Sequence, residues 1–122
     1  MHPDLQVVYE ILLQWAKGGN GPRPQTYTDL TGAYFTRTGH TVSAHGGWDA
    51  PLGAINNRLN AIGAPALSAL VVLQATNEPG AGFWGCSPNV PHRPRNDIAR
   101  LAAWASIVTA IGTYNWPGKL PP

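Results

Sequence analysis

The sequence predicts a mainly helical domain completed by a small β-hairpin, a winged helix-turn-helix in which an N-terminal and a C-terminal helix pack together. Three observations lead there. Apolar residues recur at helical spacing near both ends of the chain, at Leu5, Val8, Leu12 and Trp15 and again at Ile98, Leu101, Val108 and Ile111. Residues 49–62 read as a short amphipathic helix stopped by Gly63-Ala64-Pro65. An apolar run at residues 69–73 then leads into the turn Asn77-Glu78-Pro79-Gly80, after which Phe83-Trp84 can return as a paired strand.

Each element has a local cause. Asp4 can cap a first helix over residues 4–17, which Gly18-Gly19-Asn20-Gly21-Pro22 ends, since glycine accepts the left-handed terminus and proline cannot continue it. Thr26 with Asp29 three residues on has the capping-box pattern and predicts a short second helix. Residues 39–47 are small or polar, without periodicity, and read as a loop. Asp49 can cap the third helix with Pro51 in its first turn, where a missing amide hydrogen costs nothing. Leu52, Ile55, Leu59 and Ile62 make its apolar face, while Gly53, Asn56, Asn57 and Asn60, with Arg58 at the flank, make the other. Asparagine is a poor helix former, so that density answers something other than helix propensity. The last helix is predicted over residues 96–111, with a stripe of Ile98, Leu101, Trp104 or Ala105, Val108 and Ile111 packing on the first helix. Residues 115–122 read as a loose, proline-rich tail.

Composition narrows the function classes. A chain of 122 residues fits one domain. Charged residues make up only 11%, beside 14 glycines and 12 prolines, which indicates a large irregular fraction or surface covered in an assembly. The formal charge is +2, which permits nucleic-acid binding without demanding it. The lone Cys86 forms no internal disulfide and belongs to no metal-site spacing, so a metal-free, cofactor-free cytoplasmic protein is expected. Met1-His2-Pro3-Asp4 lacks the basic region and apolar run of a signal peptide, and no run reaches membrane-spanning length, so no membrane partner is expected.

Residues 26–85 resemble the winged-helix DNA-binding half of the alkylguanine-DNA alkyltransferases and alkyltransferase-like proteins. The resemblance rests on Thr26-Tyr27-Thr28-Asp29-Leu30, the glycine-containing third helix, the Pro-led Val71-Val72 and Gly80-Ala81-Gly82-Phe83. The same stretch resembles more closely the small winged modules found beside bacterial restriction nucleases and in phages, through Leu52-Gly53, residues 65–72 and residues 79–83. Both resemblances imply a recognition helix offered to DNA. The Pro-Cys-His-Arg nucleophile motif of the alkyltransferases would fall before Val71, where this chain has Leu67-Ser68-Ala69-Leu70, and their intercalating arginine would align near Ala50. Only the scaffold carries over, without the alkyl-transfer chemistry.

The candidate site follows from the third helix. Asn56, Asn57 and Asn60 have amides that both donate to and accept from adenine, and Arg58 can grip guanine. A merely solvated polar face is the alternative. Arg93 and Arg95, with Arg100, could meet phosphates or an acidic partner. Trp15 and Trp104 lie on apolar stripes as core residues, whereas Trp48, Trp84 and Trp116 stand beside Gly or Pro and could form a partner-binding patch or pack over the domain's edges. No catalytic residue is assigned: His40, His45 and His92 have no recognisable spacing to Asp29, Asp49, Glu78 or Asp97. The expected function is a non-catalytic protein binding duplex DNA, linked to phage or restriction-defence biology. The alternative is a protein-binding inhibitor or adaptor, phage-derived, that acts on a host nucleic-acid enzyme. A weaker third reading is self-association through exposed aromatics; the sequence leaves the oligomeric state open.

Overall fold

The computed structural model describes residues 2–122, and its element order is α1 (Leu5–Ala16), β1 (Gln25–Thr26), α2 (Tyr27–Thr38), α3 (Asp49–Ala61), β2 (Val71–Val72) and α4 (Asp97–Thr113). The chain is mainly helical, with one two-stranded parallel sheet in which Gln25 pairs with Val71 and Thr26 with Val72. A buried 3-10 turn, Leu67–Leu70, feeds β2, and α1, α3 and α4 all pack against it. The core is built from Val8, Leu12, Leu30, Ile55, Leu59 and Leu70 with their neighbours, all without exposed surface.

The helix starts form as the sequence predicts for α1 and α2. The Asp4 carboxylate accepts from the amides of Gln6 and Val7. Thr26 Oγ1 accepts from the Asp29 amide at 3.1 Å while Asp29 accepts from the Thr26 amide at 3.0 Å, a complete capping box. Helix α2 then runs three turns instead of stopping early, because Leu30 and Tyr34 are buried against α1, and it ends at Gly39, whose φ of 74° suits the left-handed cap. Helix α3 differs at its start. Trp48 occupies the cap position with no side-chain cap bond, and Asp49 is the first helical residue instead of the cap.

The predicted β-hairpin is absent. The turn itself forms, since the Leu73 amide donates to the Glu78 carbonyl at 2.8 Å and the Asn77 amide to the Leu73 carbonyl at 2.8 Å, with Asn77 at a positive φ of 56°. Beyond it, Ala81–Phe83 coils into a second 3-10 turn that buries Phe83, so Phe83-Trp84 never extends beside β2. The free edge of β2 is taken by β1. The apolar run also contributes only two strand residues, because Leu67–Leu70 satisfies its backbone locally as 3-10 structure.

Two expectations about the ends of the chain are corrected as well. Helix α4 turns inward the stripe Arg100, Trp104, Ile107 and Ile111, and it packs on the Leu67–Leu70 turn more than on α1. The Trp104 indole donates to the Ala69 carbonyl at 2.8 Å, and Arg100 Nε to Glu78 Oε1 at 2.7 Å. The expected stripe faces out at its start, with Ile98 79% and Leu101 44% exposed. This helix is apolar almost all round, so periodicity gives no phase, and the Arg100 ion pair with the Trp104 bond fixes which face is inside. The tail is not loose: Trp116 is buried, its indole donates to the Ile111 carbonyl at 3.0 Å, and the Leu120 amide donates to Gln6 Oε1 at 2.8 Å.

Candidate nucleic-acid interface

Helix α3 divides its three asparagines and Arg58. Asn56 has no exposed surface, which removes it from any outward-facing site. Its Nδ2 donates to Ser68 Oγ at 2.6 Å and to Cys86 Sγ at 3.4 Å, and its Oδ1 accepts from the Ser68 amide at 3.4 Å. Asn56 is thus a buried cross-link between α3 and the Leu67–Leu70 turn, satisfying a backbone donor that would otherwise be orphaned. Asn57 and Arg58 are exposed and Asn60 is half-buried.

The outward edge of α3 is defined by size as much as by polarity. Ala50, Asn57, Arg58 and Ala61 are exposed and Ala54 half-buried, at spacings that place them on one face. Small methyl groups flank the two long polar side chains, which leaves the helix axis free to approach a surface closely.

The connection before α4 is tied back to α3. Asn89 Nδ2 donates to the backbone carbonyls of Asn56 and Ala64 at 3.3 and 3.2 Å, and the Gly85 amide donates to the Pro91 carbonyl at 2.9 Å. Arg93 lies four residues beyond Asn89, a span of at most about 14 Å. Arg93 and Arg95 are exposed and line one open hollow with Pro94, Asp97 and Arg100. Arg100 is already committed to Glu78 and to Asp97, the latter at 2.8 Å, and these carboxylates hold its guanidinium well above its ordinary pKa. Among the described residues no carboxylate reaches Arg58, Arg93 or Arg95. Glu78, at the turn after β2, is the half-buried partner of Arg100.

The tryptophan patch does not form. Trp48 has no exposed surface: its indole donates to Thr31 Oγ1 at 2.9 Å and its rings meet Tyr34 edge-on at 5.7 Å. Trp116 docks the tail and is buried, and Trp84 is half-buried, edge-on to Phe83 at 5.1 Å. The packing of these rings over loop edges is what holds the loop before α3 and the tail in place.

The remaining titratable groups are dispersed. The ring of His40 stacks on His2 at 3.5 Å, and no group of three metal-ligating side chains occurs among the described residues. Burial raises the Tyr27 hydroxyl above its ordinary pKa against the opposing hydrogen bond from the Gly80 amide, and the Asp49 and Cys86 charges add to the rise. No helix among the described residues is long and apolar enough to cross a membrane. Sequence reasoning missed Ser68, which bonds the Asn56 side chain, and Asn89, which donates to its carbonyl; neither carries a local motif. No family model, curated protein or solved structure matches the chain.

Proposed function

We propose that this chain is a non-catalytic, cytoplasmic duplex-DNA-binding module that lays the outward edge of α3 into a groove. The observation that carries the reading is the composition of that edge, Asn57 and Arg58 standing clear of Ala50, Ala54 and Ala61. An asparagine amide pairs with adenine and an arginine fork with guanine, and both need a helix that can come close to the base edges. Asn60 serves at the margin, while Arg93 and Arg95 neutralise phosphates beside the groove. The order helix, strand, helix, helix, strand supports the kinship with helix-turn-helix modules of restriction-associated and phage proteins, here without the hairpin wing. Fluorescence anisotropy with a labelled random duplex tests the reading: the affinity falls steeply with salt and is lost in the variant Asn57→Ala with Arg58→Ala.

A protein-binding inhibitor or adaptor is the second reading, favoured by the exposed apolar side of α4 at Ile98 and Leu101. A chain that binds no duplex at low salt, and that retains this failure at high protein concentration, belongs to that class.

A further inference from the structure

The residues that lead into α1 meet α2, where the His2 ring stacks on His40 with centroids 3.5 Å apart and His2 Nδ1 lies 2.6 Å from the Tyr34 hydroxyl. We propose that this contact is an acid-released clip, which holds residues 2–4 against α2 while His2 is neutral and frees them when His2 takes up a proton.

The Tyr34 hydroxyl dictates the protonation state. It accepts from the Asp4 amide at 2.7 Å, and an amide N–H can only donate. Tyr34 has no exposed surface, so its hydroxyl proton must find a protein acceptor. Among the described residues the only other polar partner of that hydroxyl is His2 Nδ1, which therefore offers a lone pair. Neutral His2 is thereby held as the tautomer with its proton on Nε2. Protonation adds a hydrogen on Nδ1, and two donors then face each other across the same 2.6 Å. Tyr34 cannot yield, because it is buried edge-on to Trp48. His2 can, because it is exposed, and bulk pH reaches it directly.

The surrounding charges act in the same direction. Partial desolvation first, then His40 and the chain's terminal ammonium, hold the His2 imidazole below its ordinary pKa of 6.5 against the pull of Asp4. Glu10 and Arg37, the ion pair between α1 and α2, answer one another. Because the folded chain disfavours the proton, the contribution of the clip is whole above pH 6.5 and is lost as pH falls below it. Asp4 is also the cap of α1, accepting from the Gln6 and Val7 amides, so release loosens the first turn of that helix. Val8, Leu12 and the rest of the core stay closed. Neither histidine belongs to the α3 edge, so the clip stands or falls independently of DNA binding.

The experiment is a pH titration of the whole nitrogen-15-labelled chain by NMR. At neutral pH the ring nitrogens of His2 report the tautomer with Nδ1 bare, and the ring titrates with a midpoint below 6.5. Through that midpoint the amides of Asp4, Leu5 and Gln6 shift together, while those of Leu59 and Leu70 stay in place. Tyr34→Phe removes the hydroxyl, so the His2 midpoint rises towards that of a free imidazole and the Asp4 to Gln6 amides lose their step. A proton on Nδ1 at neutral pH, a midpoint at or above 6.5, or amides of residues 4–6 that ignore the midpoint each overturn the proposal. All three are read on the unaltered chain, so they decide the matter even where Tyr34→Phe does not fold.

Discussion

Replacing Asn56 by alanine separates a structural asparagine from a reading one on the same helix. The substitution removes the 2.6 Å bond to Ser68 Oγ and the longer contact to the Ser68 amide, and it leaves both groups of Ser68 buried, with 4% of that residue exposed. One neutral hydrogen bond contributes about 1 kcal/mol, and stranding its buried partners costs about 1–3 kcal/mol more, so a loss of about 2–4 kcal/mol is expected. That is a large part of the roughly 5–15 kcal/mol that holds a domain together. Asn57→Ala, on the exposed side, stays within about 0.5 kcal/mol of the parent. Urea unfolding followed by tryptophan fluorescence measures both, and at an m value of about 2 kcal/mol per molar the Asn56 midpoint moves by roughly 1–2 M. Adding Ser68→Ala to Asn56→Ala costs less than the sum of the two, because the stranded hydroxyl is removed with its partner. A loss below about 0.5 kcal/mol for Asn56→Ala, or a folded Asn56→Ala that alone abolishes DNA binding, refutes the reasoning.

The other predictions concern α4, the tail and two ionisations. Ile111→Ala destabilises by about 2–4 kcal/mol while Ile98→Ala stays within about 0.5 kcal/mol, and thermal unfolding of the pair reports which side of α4 faces the core. Truncation after Asn115 removes buried Trp116 and the Leu120 bond to Gln6 and lowers the unfolding temperature; an unchanged value means that the tail is loose after all. Burial first, and then the Tyr114 charge, push the Tyr9 hydroxyl up to about 12, where it donates to the Pro117 carbonyl at 2.6 Å. The folded chain therefore keeps a proton that the unfolded chain releases, so this contribution is whole below pH 10 and is lost as pH rises from there towards 12. Tyr9→Phe flattens that alkaline limb in urea titrations. At the other end, hydrogen bonds from Gln6 and then Arg37 hold the Glu10 carboxyl below 4.5, so its contribution is present above that pH and fades as acid protonates it; Glu10→Gln removes this slope.

How much the sequence made legible depended on whether the cause was local. The caps at Asp4 and Thr26, the glycine stop at Gly63 and the turn at Asn77 each follow from residues within one turn of chain, and each forms. The hairpin did not, because extended Phe83-Trp84 competes with a 3-10 turn that buries Phe83, and that competition is settled by the core it enters. The same limit split the asparagines. Periodicity places Asn56 and Asn60 near one another, but only the arrival of Ser68 and Asn89 from distant segments makes Asn56 a buried linker. Trp48 shows the same in reverse: a tryptophan among glycines looks free in sequence, and Thr31 and Tyr34 on α2 enclose it. For α4, apolar and small residues on every side of the helix erased the phase that an amphipathic helix displays, and the pairing of Arg100 with Glu78 supplied it from 22 residues away.

The measurement that bears most directly on the account is the anisotropy of a labelled random duplex titrated with the parent chain and with the Asn57→Ala, Arg58→Ala variant, at low and then moderate salt. The expected result is binding by the parent that weakens steeply as salt rises and is lost in a variant of unchanged unfolding temperature. Absence of binding by the parent at low salt, or equal binding by the variant, contradicts it.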